Sequence, residues 1–149
     1  MLKKIVQKIW RKLPPSFRRI IVRATQPTFT VSVAAIIVNE RGEVLLLDHV
    51  LRTAPSWGLP GGFLARGEQP VDAVRRELRE ETGIEITSAE LFRMRTTGRH
   101  VEILFHAEAV GTATVKSREI NAVGWFKSGE MPKNMSRSQK RLIENLLKN

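Results

Sequence analysis

Residues 62–84, GFLARGEQPVDAVRRELREETGI, narrow the possible folds of this chain more than any other stretch. Pro70 suits the first helical position and Gly83 the left-handed residue that ends a helix, so a helix is predicted from Pro70 to near Gly83. At about 100° per residue, Glu77, Glu80 and Glu81 share one face of that helix. Val71, Val74 and Leu78 form a separate apolar stripe that seats the helix on a body. Three carboxylates on one turn repel each other, and something must offset them. Arg76, four residues before Glu80, can do part of this. A hard divalent cation, Mg²⁺ or Mn²⁺, does it better. The bland alternative is a solvated acidic face balanced by Arg75, Arg76 and Arg79. The turn Leu59-Pro60-Gly61-Gly62 just before the segment, and a fourth carboxylate at Glu68, favour the metal reading.

The flanks alternate between strand and helix patterns. Residues 28–38 (TFTVSVAAIIV) are β-branched and apolar, residues 39–42 read as a turn, and residues 43–48 (EVLLLD) as a second strand, together a hairpin. Trp57 to Gly62 is a Gly/Pro-rich approach to the helix. Strands are predicted over 84–95, 101–110 and 122–126, and a closing helix over about 136–147. The length of 149 residues is one domain's worth. The absence of Cys excludes a disulfide scaffold, a Cys-ligated zinc site and a cysteine nucleophile. No apolar run is long enough to span a bilayer.

The net charge of +10 is unevenly placed. Residues 1–25 carry eight Lys or Arg and no acid; residues 26–130 carry 12 basic against 14 acidic residues; residues 131–149 carry five basic and one acidic. A mildly acidic body with two basic ends is not a uniformly basic nucleic-acid module. The expected division is a basic amphipathic arm, 1–25, and an α/β domain, 26–149. In the arm, Leu2, Ile5, Val6, Ile9, Trp10 and Leu13 recur at helical spacing until Pro14 and Pro15, and a second short helix is expected over 17–23. Charges interrupt every apolar stretch, so this is not a secretory signal, and the expected location is the cytoplasm. Three uses of the arm stay open: docking on the body or on a second subunit in a homodimer, lying on an anionic membrane surface, or guiding an RNA end. Nucleic acid is the least favoured of these partners.

The segment resembles the Nudix box, G-x5-E-x7-R-E-U-x-E-E-x-G-U, where U is a bulky aliphatic residue. Gly62, Glu68, Arg76, Glu77, Leu78, Glu80, Glu81, Gly83 and Ile84 meet every fixed position. The strand pair before the box, the WGLPGG lead-in and the later Glu119-Ile120…Trp125-Phe126 stretch are also similar to the family. The resemblance covers about residues 27–147 and not the first 25. It implies an α/β/α sandwich with a mixed sheet, and hydrolysis of the pyrophosphate linkage in a nucleoside diphosphate linked to another group, with Mg²⁺ or Mn²⁺ as cofactor. An acidic cluster facing an anionic substrate makes chemical sense with metal ions between them.

Carried over position by position, the resemblance implies metal ligation by Glu77, Glu80 and Glu81, with Glu68 completing the cluster directly or through Arg76, and Gly62 offering a backbone carbonyl. Arg76 and Gly83 are the structural positions of the box. Glu80, Glu81 and Glu119 are the catalytic candidates; the general base is either a box carboxylate or Glu119, which is equally readable as a solvated turn residue. Arg52, Trp57 and Arg99 are candidate substrate contacts, with packing of the strand before the box the favoured alternative for Trp57. His49, His100 and His106 pair at no metal-ligand spacing and read as surface or strand-edge residues, and Trp125 and Phe126 as core. The chain lacks the Tyr after the box, the Pro about fifteen residues after it, the pre-box signature and the Cys that mark the dinucleoside polyphosphate, ADP-ribose, coenzyme A and isomerase branches. The expectation is therefore a MutT-like or unassigned member acting on a nucleoside triphosphate or nucleotide-linked diphosphate. The alternatives are an RNA 5′-end pyrophosphohydrolase and a non-catalytic nucleotide sensor; the complete carboxylate set counts against the sensor.

Overall fold

The structure, a computed structural model, describes residues 2–52 and 54–147. Two helices come first, α1 (Leu2–Lys12) and α2 (Pro15–Thr25). Pro14 separates them and Pro15 takes the first position of α2, where its missing N–H costs no helix bond. Then follow β1 (Thr30–Ile37), β2 (Val44–His49), the short strands β3 (Trp57–Gly58) and β4 (Gly61–Phe63), and helix α3 (Pro70–Thr82). Strands β5 (Glu85–Thr97), β6 (His100–Val110) and β7 (Ile120–Phe126) come next, and after a 3₁₀ turn at Ser128–Glu130 the chain closes with α4 (Arg137–Leu147).

The expected hairpin of β1 and β2 does not form. β1 lies in a four-stranded sheet of order β4-β1-β6-β5, parallel to β6 and antiparallel to β4, whereas β2 is the centre of a three-stranded sheet β3-β2-β7. One isolated bridge, Val38 to Val44, links the two across the turn. The reason lies in burial. Both strands are apolar on both faces, so each sits in the interior of a sheet with partners from distant segments. In β1, Val33, Ala35 and Ile37 face one core with Leu45, Val74, Leu78, Ile84 and Phe105. Ile36 faces the other core with Val44, Leu46, Leu104, Met135 and Ile143. The first core seats α3 and the second seats α4, so the sheets form the middle of an α/β/α sandwich with a mixed sheet, as expected from the resemblance.

Helix α3 is fixed at both ends. Pro70 occupies its first turn, and Gly83 ends it in the left-handed region at φ 77°, its N–H donating to the Arg79 carbonyl. Val74 and Leu78 are fully covered by the sheet, and Val71 packs at the edge of the same core. No residue of α1 or α2 is buried.

Candidate active site

β4 and α3 bring the box together. Gly61 N–H donates to Glu81 Oε2 at 3.0 Å, tying the C-terminal turn of α3 to the strand. Gly61 sits at φ 147° with its Cα against the Val33 carbonyl, so a Cβ there would overlap the β1 backbone. A Cβ on Gly62 would overlap the Glu77 carboxylate. Two glycines in sequence thus let a strand pass flush against β1 on one side and two carboxylates on the other. Glu77 and Glu81 stand at the floor of an open cleft of about 730 Å³, with His49, Arg52 and Glu119 on its walls.

Arg76 organises the remaining acids. Its guanidinium donates from Nε and Nη2 to the two oxygens of Glu68 at 2.8 and 3.1 Å, and from Nη1 to Glu77 at 2.8 Å and Glu80 at 3.4 Å. A fourth accepting residue is Phe63, whose carbonyl lies 3.3 Å from Nη2. Bidentate pairing with Glu68, together with the Ala65 N–H bond, holds the Glu68 carboxyl down near a pKa of about 2. Glu68 therefore acts on the cleft through Arg76 and does not line it. Glu80 points to solvent, its side chain 59% exposed, and is likewise outside the lining.

Glu81 is the opposite case. Burial pushes its carboxyl up to about 8; the Gly61 N–H bond works against this, and the neighbouring charges of Glu77 and Glu119 add to the rise. His49 is buried beside it, Nδ1 3.9 Å from Glu81 Oε1, and is pushed down to about 4 by burial and by the charge of Arg52. Both shifts favour the uncharged forms over an ion pair. His49 Nε2 is buried without a hydrogen-bond partner in the protein. The strand-edge expectation for His49 is thus corrected. It closes β2, a strand covered on both faces, and the run VLLLDH carries no spacing signal that would have exposed its place next to Glu81. His100 donates or accepts at Thr30 and Ser32 on β1, and His106 is exposed.

Of the candidate substrate contacts, Arg52 lies on the cleft wall. Trp57 does not: it stacks edge-on against Phe126, centroids 5.2 Å apart, beside the second core. Arg99 lies at the β5–β6 turn, in a separate depression with Phe29 and His100. The neighbouring His100 does line the cleft, edge-on to Phe63 with ring centroids 6.0 Å apart. Glu119 sits in the exposed turn before β7, its carbonyl accepting from Val50 N–H at 2.8 Å, and this bond brings the turn to the cleft. Two lining residues, Glu102 of β6 and Gln139 of α4, carry no sequence signal and arrive by strand register and helix packing.

Among the described residues, no three acidic or imidazole groups stand as a ready metal cage. Glu68, Glu77 and Glu80 instead share the Arg76 guanidinium. The donor chemistry nevertheless fits a hard divalent ion. Glu77 and Glu81 are carboxylates side by side against the Gly61–Gly62 backbone, and burial disfavours the charged form of Glu81, which a bound cation would restore.

A family model described as NUDIX domain matches residues 28–146. A MutT-like protein of Streptomyces ambofaciens is 36% identical over 112 residues, which is 74% of this chain and 71% of that protein. The 8-oxo-dGDP phosphatase NUDT18 of Danio rerio is 32% identical over 107 residues, 67% of this chain; the chain spans only 33% of that relative. Among solved structures, a MutT NUDIX hydrolase of Burkholderia pseudomallei superposes with a TM-score of 0.68 at 29% identity, over 80% of this chain and 97% of that one.

Proposed function

The chain belongs to the Nudix family and is a pyrophosphohydrolase, and from that premise we propose that it hydrolyses nucleoside triphosphates or nucleotide-linked diphosphates in a reaction dependent on Mg²⁺ or Mn²⁺. The MutT-like and 8-oxo-dGDP phosphatase relatives make oxidised guanine nucleotides the first substrates to try. The observation that carries the reading is the convergence of Glu77 and Glu81 on the Gly61–Gly62 strand at the floor of the cleft.

Glu77 and Glu81 would hold the metal, with a backbone oxygen of Gly62 beside them. When bound, the ion neutralises phosphoryl charge and acidifies the attacking water. Arg76 keeps Glu77 aimed by sharing its guanidinium between Glu77 and Glu68. Glu80, at the solvent edge of the same guanidinium, would join the metal set once Arg76 gives way to a second cation. Arg52 supplies a fork of N–H donors for a phosphate entering the cleft. Glu119 is an exposed carboxylate across from Glu81, able to take the proton of the attacking water.

The test is a panel of nucleoside triphosphates, oxidised nucleotides, ADP-ribose, nucleotide sugars, dinucleoside polyphosphates and 5′-triphosphorylated RNA with either metal. Activity on at least one nucleotide that disappears with chelator supports the reading. No turnover across the panel would instead favour a nucleotide sensor.

A further inference from the structure

The two helices ahead of the domain carry an apolar surface that the protein itself leaves uncovered. On α1, Leu2, Ile5, Val6, Ile9 and Trp10 fall within an arc of about 140°, and all five basic residues of that helix take the remainder. On α2, Phe17, Ile20, Ile21 and Ala24 share one side, and Arg18, Arg19 and Arg23 the other. Leu2, Phe17 and Ile20 are 77%, 58% and 61% exposed. Helices of eleven residues are marginal alone in water, and an amphipathic face is stabilised only by what covers it.

Burial and charge choose among the possible covers. The domain is not one, because no residue of either helix is buried. A second copy pairing arm to arm would bring two surfaces of eight basic residues and no acid into contact, within a Debye length of about 10 Å. A nucleic acid would take the charges and leave the Leu, Ile, Val and Phe side chains in water. A bilayer surface with anionic headgroups satisfies both halves together: apolar side chains enter the acyl boundary, and lysines and arginines stay at headgroup level. Among the described residues no helix is long and apolar enough to cross a membrane. We propose that residues 2–25 form an interfacial anchor that lies on an anionic lipid surface and holds the hydrolase there. The inference does not rest on the substrate reading, and either can fail alone.

The test is cosedimentation of the full chain with phosphatidylcholine vesicles, with and without about 30% phosphatidylglycerol, at low salt. The protein is expected to bind the anionic vesicles and not the neutral ones, with a blue shift of tryptophan emission that Trp10→Phe removes. Lys4→Gln with Lys8→Gln should weaken the partition about 25-fold, at about fivefold per charge. Ile5→Glu with Ile9→Glu should weaken it at least as much, while the melting temperature of the domain stays unchanged. Absence of binding to anionic vesicles overturns the proposal. So does equal binding to neutral ones, or full binding by the Ile5→Glu, Ile9→Glu variant. Self-association or RNA binding through the arm without vesicle binding also overturns it and assigns the surface to that partner.

Discussion

At the level of single residues, the box divides its acids by environment. Glu68 is held charged by Arg76, Glu80 is left in solvent, and Glu81 is driven toward its neutral form by burial. This has a consequence for stability. A carboxyl whose folded pKa is raised binds its proton more tightly in the native state, so the stabilisation it gives is lost as pH rises toward about 8. His49, pushed down to about 4, acts oppositely and only below its unfolded value of 6.5. Above pH 6.5 Glu81 acts alone of the two. The metal-free protein in chelator should therefore lose about 2 kcal/mol between pH 6.5 and 8, and Glu81→Gln should remove that slope. Thermal melts across that range check it. Arg76→Lys keeps a charge but loses the fork that joins Glu68 to Glu77. It should lower kcat about tenfold with little change in KM, and raise the metal concentration needed for half activity. The acids were legible in the sequence because their spacing is rigid on a helix. His49 was not, because nothing in its own strand distinguishes a cleft-facing residue from a buried one.

At the level of elements, the firm part is the join of β4 to α3. Leu78, fully covered between helix and sheet, should cost about 2–5 kcal/mol on truncation to Ala, lowering the melting temperature without changing the metal requirement of what remains folded. Gly62→Ala should do the reverse. Its Cβ meets the Glu77 carboxylate, so titration with Mn²⁺ should show weakened binding while the melting temperature moves by less than about 2 °C. The ends of α3 were readable from Pro70 and Gly83, since both are local backbone requirements. The pairing of β1 was not. A strand apolar on both faces signals an interior position but not its neighbours, and the local turn at residues 39–42 suggested a hairpin that the two-sheet arrangement replaces. Trp57 was readable both as a base-stacking residue and, more readily, as packing for the strand before the box; pairing with Asp48 sets it edge-on to Phe126.

For the whole molecule, the distribution of charge separates two questions. Residues 26–130 have slightly more acid than base, and the cleft is lined by carboxylates, so the anionic substrate proposed for it would be met through cations; the surplus of positive charge lies at the two ends. Because no residue of α1 or α2 is buried, a chain lacking residues 1–25 should hydrolyse a soluble nucleotide with unchanged kcat/KM. Steady-state kinetics on the shortened protein measures this. The central claim is that Glu81, beside Glu77 on the Gly61–Gly62 strand, carries the metal that hydrolysis needs. The most direct measurement is the rate of pyrophosphate cleavage by Glu81→Gln against the unchanged chain, on the best substrate of the panel at saturating Mg²⁺. A loss of at least about 10²-fold with the fold intact is the predicted result, and full activity in the variant would contradict the account.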